Sequence, residues 1–157
     1  MSVLVVSAPT NTPPRWLLDV RLRTMRILWA VFLITIELYA LVTVFARPSQ
    51  EVLLERSQET PTILLALGAL GFSLVAVSFV VKRIFYRKAA EQQSPPQFQT
   101  GFIVAEVLCE SCALFGLVGM FLTWNDYAYA LFVLGALGQL LHFPRRDELA
   151  AAYRKGW

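Results

Sequence analysis

Residues 101–124 read GFIVAEVLCESCALFGLVGMFLTW, and this stretch decides the fold. It is an apolar run without proline, lysine or arginine, and it is long enough to cross a hydrocarbon core, which takes about 17–25 helical residues. Its only charges are Glu106 and Glu110. Ala105, Cys109, Cys112, Gly116 and Gly119 follow one another at steps of 4, 3, 4 and 3, which places five small side chains on one helix face. Such a stripe lets helix backbones approach closely in lipid, where apolar burial alone gives little association energy. The stretch therefore reads as a spanning helix packed on its small side.

Three further apolar stretches lie outward from it, at 27–46, 62–81 and 127–143, the last being the shortest. All eight prolines fall outside the four stretches, as uninterrupted helices require. Hydrophobic residues make up 57% of the 157-residue chain, against roughly 45–50% in soluble domains. The expected fold is an all-α polytopic membrane protein with four transmembrane helices. It divides into an N-terminal segment at 1–26, a helical domain at 27–143 and a tail at 144–157.

Lysine and arginine set the expected orientation. Arg15, Arg21, Arg23, Arg26, Lys82, Arg83, Arg87, Lys88, Arg145, Arg146, Arg154 and Lys155 flank one side, and only Arg47 and Arg56 the other. This bias places both termini in the cytoplasm and the chain in the inner, cytoplasmic membrane. The positive charge is thus accounted for by topology, without a nucleic-acid partner. Met1–Pro14 lacks the basic start and the long apolar core of a secretory signal.

Two echoes run through the apolar segments. Leu38-Tyr39-Ala40-Leu41-Val42 returns as Leu114-Phe115-Gly116-Leu117-Val118, and Leu67-Gly68-Ala69-Leu70-Gly71 returns as Leu134-Gly135-Ala136-Leu137-Gly138. Their shared order suggests two duplicated hairpins related by an axis along the membrane normal. Gly68, Gly71, Gly135 and Gly138 are then expected at helix–helix contacts, as is a second small stripe of Ala66, Ala69, Ser73 and Ala76. Arg15–Arg26 reads either as a short interfacial helix or as a charged flank. Glu51–Glu59 suits a few helical turns in the external loop. The segment 82–100 is expected in the cytoplasm, with a hinge at Gln92–Gln97, and Asn125-Asp126 as a tight turn. The tail after Pro144 suits a short surface helix.

Chemistry is expected from Glu37, Glu106 and Glu110. Glu37 lies mid-way along its stretch, and Glu106 and Glu110 share a helix face. No lysine or arginine lies inside any of the four stretches. An ionised carboxylate in hydrocarbon is costly, so the neutral acid is favoured. Gln139, Ser73, Ser78, Ser111, Thr35 and Tyr39 are available as hydrogen-bond partners. The carboxylates read either as a proton or cation site or as hydrogen-bond glue between helices; pairing of one of them with a base on a partner subunit is a third reading.

The run Glu110-Ser111-Cys112-Ala113-Leu114-Phe115-Gly116-Leu117-Val118 resembles the carboxylate helix of the proteolipid (c) subunits of rotary ATPases. The resemblance covers nine residues and implies Glu110 as a reversible proton or sodium carrier, with Ser111 and Gln139 similar to its ligand partners in sodium-type members. In that family a glycine-rich helix precedes the carboxylate helix, whereas here the Gly-Ala-Leu-Gly segment of the same hairpin follows it.

Cys109 and Cys112 form C-x-x-C within the small stripe, where cysteine acts as a compact apolar filler; no histidine follows them, so c-type haem attachment is excluded. His142 reads as an interfacial polar residue, a pigment or haem ligand, or a proton relay with Glu106. No phosphate loop, nucleophile motif or zinc-spaced cluster is found, so no cofactor, metal or enzymatic activity is expected. Two functions follow: a small membrane subunit that binds or passes protons or cations within a larger complex, or a structural protein whose small-residue faces hold partner subunits. The lipid bilayer and other membrane subunits, or further copies of the chain, are the expected partners.

Overall fold

A computed structural model describes residues 15–49 and 61–153. The elements among them are α1 (Arg15–Phe45), α2 (Pro61–Glu91), α3 (Pro95–Thr123), a 3-10 turn (Asp126–Ala128), α4 (Tyr129–Leu141) and α5 (Arg146–Ala151). The segment 1–14, the turns expected over Glu51–Glu59 and the end of the tail at 154–157 lie outside the described residues.

Helices α1, α2 and α3 are each long and apolar enough to cross a membrane. The 31 residues of α1 and of α2 reach about 46 Å at 1.5 Å per residue, roughly 15 Å beyond a hydrocarbon core. Their outer faces expose Val31, Ile34 and Leu38, and Leu65, Phe72 and Val80, the surface that a hydrocarbon solvent matches. The fourth stretch is shorter than expected. It opens with the 3-10 turn, capped by the Asn125 side chain accepting from the Tyr127 amide at 3.0 Å, and its α-helix has 13 residues, about 20 Å.

Two boundaries differ from the sequence reading. Arg15–Arg26 is not a separate interfacial helix; it is continuous with the apolar part of α1, because no glycine or proline interrupts residues 15–45. The segment 82–100 is helical on both sides of a tight turn. Helix α2 ends when Gln93 adopts the left-handed conformation (φ 51°) and the Ser94 amide donates to the Ala89 carbonyl at 3.0 Å. This is the bond pattern of a Schellman cap. With Pro95 opening α3 directly afterwards, α2 and α3 form a closely packed antiparallel hairpin where a hinge was expected.

Helix α3 sits at the centre, with α2 and α4 along its flanks, while α1 packs against α3 and α4 rather than α2. The echoed segments therefore do not build two like hairpins. At the end carrying most of the basic residues, Leu22 and Met25 of α1, Ala89 of α2, Phe98 and Phe102 of α3, and Leu149 of α5 form a buried apolar cap. Arg146 reaches Asp19 at 3.1 Å across it. At the far end, Arg47 approaches Asp126 at 3.8 Å.

Candidate functional site

The apolar cap lies beside a group of buried polar side chains contributed by four helices. Ser78 and Lys82 are one turn apart on α2, a spacing that puts both on one face. Glu106 and Cys109 come from α3, Gln139 and His142 from the end of α4, and Glu148 from α5. Ser78, Glu106, Cys109, Gln139 and His142 are fully buried. The approach of α4 that brings His142 here depends on glycine. A Cβ on Gly135 would lie 2.8 Å from the Cys109 carbonyl oxygen, and one on Gly138 2.7 Å from the Cys109 sulfur.

The hydrogen bonds assign the histidine tautomer. The Ser78 hydroxyl is 2.6 Å from the Val75 carbonyl, 2.8 Å from His142 Nε2 and 3.5 Å from the Cys109 sulfur. A hydroxyl has one proton and two acceptor sites. Ser78 donates to Val75 and accepts from the other two, so a neutral His142 carries its proton on Nε2 and offers a lone pair at Nδ1. Among the described residues, His142 Nδ1, both oxygens of Glu106 and both amide atoms of Gln139 are buried without a hydrogen-bond partner. Leaving a buried polar atom unpaired costs about 1–3 kcal/mol, more for a charge, so their concentration in one region is costly to the fold.

Lys82 is the basic member. Its ammonium approaches Glu148 at 3.5 Å, with the two side chains 13% and 33% exposed, and lies 5.1 Å from the centre of the Tyr86 ring. It is also within electrostatic range of both Glu106 and His142. The expectation that no cation accompanies the carboxylates therefore fails for Glu106. Lys82 falls just past the apolar stretch, but the unbroken α2 carries it back toward α3. The polar group grades from Glu148 through Lys82 to Glu106, His142 and Ser78, that is, from part-exposed to enclosed.

The other carboxylates lie elsewhere. Glu110 is half-buried and accepts from the Tyr39 hydroxyl at 3.1 Å. Ser111 donates to the Val107 carbonyl of its own helix, and Gln139 makes no side-chain hydrogen bond to either. The trio implied by the proteolipid resemblance, Glu110 with Ser111 and Gln139, is thus not joined by hydrogen bonds. Glu37 is exposed on the outer side of α1, at the edge of a groove of about 270 Å³ between α1 and α4.

The small residues of α3 all face inward: Ala105, Cys109 and Cys112 are fully enclosed, and Gly116 and Gly119 are buried. Cys112 meets Gly71 of α2 much as Cys109 meets Gly138 of α4, so the last glycine of each echo seats one sulfur. Gly116 abuts Leu131, and Gly119 abuts Leu64 and Leu67. Gly68 is the exception. A Cβ there would meet nothing within 4 Å, and Ala66, Ala69, Ser73 and Ala76 are exposed. Helix α2 presents Leu67, Gly71, Val75 and Ser78 to the bundle, which turns its own small stripe outward.

Lys82, Tyr86 and Glu148 were not anticipated as members of this group. The signal for Lys82 was the helical continuation through Ile84, Phe85 and Ala89, which keeps Ser78 and Lys82 in register past the apolar stretch. Glu148 had no comparable signal, because its position depends on the docking of Leu149. Among the described residues no group of three histidine, cysteine, aspartate or glutamate side chains is arranged to hold a metal ion. Comparison of the chain with protein-family models, curated proteins and solved structures gives no match in any of the three.

Proposed function

We propose that the chain is a small, non-enzymatic membrane subunit, N-in and C-in with four crossings, whose buried carboxylate cluster reversibly binds a proton reached from the cytoplasmic side. The observation that carries this reading is Glu106, fully buried with neither oxygen hydrogen-bonded among the described residues. Intramembrane ionisable groups without structural partners are retained where function needs them.

Charge arithmetic favours a proton over a metal cation. One ammonium, Lys82, stands among two carboxylates, Glu106 and Glu148, and a neutral His142 adds no charge to them. One negative charge is left over, and a single proton cancels it. A hydrated sodium ion would need several oxygen ligands and would be repelled by Lys82 nearby. Glu148 and Lys82 supply the polar approach from the surface, and His142 Nδ1 is a second acceptor within the enclosed part. Glu110, favoured by the proteolipid resemblance, lies one turn deeper, about 6 Å along α3. It is half satisfied by Tyr39, which suits it better to joining α1 and α3.

Proton uptake by the purified chain, followed with a pH indicator after a pH jump, tests the reading. Glu106→Gln is expected to take up one proton fewer per chain, and Glu110→Gln to behave as the parent. Identical uptake by Glu106→Gln and the parent would reject it. The structural alternative, a protein that holds partner subunits, is favoured by one separate observation, the small stripe of α2 turned outward. Under that reading Ala69→Leu disrupts assembly while Glu106→Gln is silent.

A further inference from the structure

Glu37 is the carboxylate that the proton-binding reading leaves unused. It lies mid-way along the apolar part of α1, about 15 Å from Ile27 at 1.5 Å per residue, and its side chain is exposed. Around it the same face exposes Ile34, Leu38 and Leu41, so Glu37 is an acid within a surface otherwise suited to lipid. It has no hydrogen bond or ion pair among the described residues. A carboxylate facing hydrocarbon is rare, because such groups turn to a bundle interior, a wet cavity or a partner.

The groove beside Glu37 favours a helix as that partner. It is lined by Ala40 of α1 and by Tyr129, Phe132, Val133, Ala136 and Leu140 of α4. Two alanines on facing helices leave the room that a third backbone needs for close approach. We infer that the α1/α4 groove docks a transmembrane helix from another protein, bearing a lysine or arginine at mid-bilayer that pairs with Glu37. A second copy of this chain in the same orientation does not meet the requirement, because none of its four apolar stretches contains a lysine or arginine. The inference does not depend on Glu106, which is not among the residues that line this groove.

The test uses the full chain in phosphatidylcholine vesicles with two probe helices, polyleucine transmembrane peptides with either lysine or leucine at the centre, and reads association by energy transfer. The lysine peptide is expected to bind about tenfold more tightly than the leucine peptide, the scale of an interhelical polar contact in a membrane. Glu37→Gln should abolish that preference, and Glu37→Lys should transfer it to a peptide with central glutamate. Equal binding of both peptides would overturn the inference, as would a lysine preference that survives Glu37→Gln. Self-association of the chain that requires Glu37 and resists the lysine peptide would also overturn it, assigning the groove to a second copy. Proton uptake through Glu106 stays at the parental level in Glu37→Gln, so failure here is distinguishable from failure of the proton-binding reading.

Discussion

Glu106 and Gly135 show at single positions how the bundle sets stability against function. Glu106 is enclosed without hydrogen-bond partners among the described residues, so its carboxylate costs the fold free energy whichever charge it bears. Replacing it with methionine removes both unpaired oxygens and the possibility of charge at similar volume. Glu106→Met should raise unfolding stability by about 1–3 kcal/mol while losing proton uptake, the trade-off typical of functional sites. Denaturation in mild detergent checks the first half, and a stability loss would mean that the carboxylate is structurally satisfied. The two echoed glycine pairs make a matched comparison. Gly135→Ala pushes a methyl group to 2.8 Å from a backbone oxygen and should destabilise by about 1–3 kcal/mol. Gly68→Ala meets open space and should be neutral or stabilise by up to about 1 kcal/mol through helix propensity. Equal effects at the two positions would show that the echo in sequence is also an echo in packing.

At the scale of elements, the turn between α2 and α3 decides whether the cluster exists. Because α2 runs unbroken to Glu91, Ser78, Lys82 and Tyr86 stay in register against α3. Gln93 holds a left-handed conformation that costs a non-glycine residue roughly 1–2 kcal/mol. Gln93→Gly should therefore stabilise the hairpin by about 1 kcal/mol, measured as a shift in thermal unfolding; destabilisation would mean that the side chain itself secures the turn. This element also marks the limit of what could be read from sequence. The apolar run 62–81 and the stripe on 105–119 were legible because lipid and close packing each impose a composition. The extension of α2 to Glu91 was not, because charged residues past a span suit a loop as well as a helix that leaves the bilayer. The inward face of α2 was also misjudged. Alanine and serine every three or four residues mark a face that permits contact, but Leu67, Gly71 and Val75 form an equally regular face one step around the helix, and α3 packs on that one.

For the whole molecule, three long helices and a shorter fourth were visible from apolar length alone, whereas the placement of α1 was not. A helix separated from the next by residues 46–60 can pack on any neighbour, and α1 takes α3 and α4. That choice brings Trp29 to donate to the Gln139 carbonyl at 2.8 Å and leaves Glu37 at the edge of the α1/α4 groove. The proposed four crossings can be checked by cysteine labelling, since Cys109 and Cys112 are fully buried and give little background. Tyr127, 82% exposed, and Arg145 sit at opposite ends of the short helix. Tyr127→Cys should react with an impermeant thiol reagent only from outside, and Arg145→Cys only from the cytoplasmic side. Reaction of both from one side would mean that α4 does not cross.

The most direct test of the proton site is infrared difference spectroscopy of the full chain in lipid as pH is lowered. One buried carboxyl group is expected to gain a proton, with a carbonyl band that is absent in Glu106→Gln and retained in Glu110→Gln and Glu37→Gln. A Glu106 that stays ionised throughout, as a permanent partner of Lys82, would contradict it.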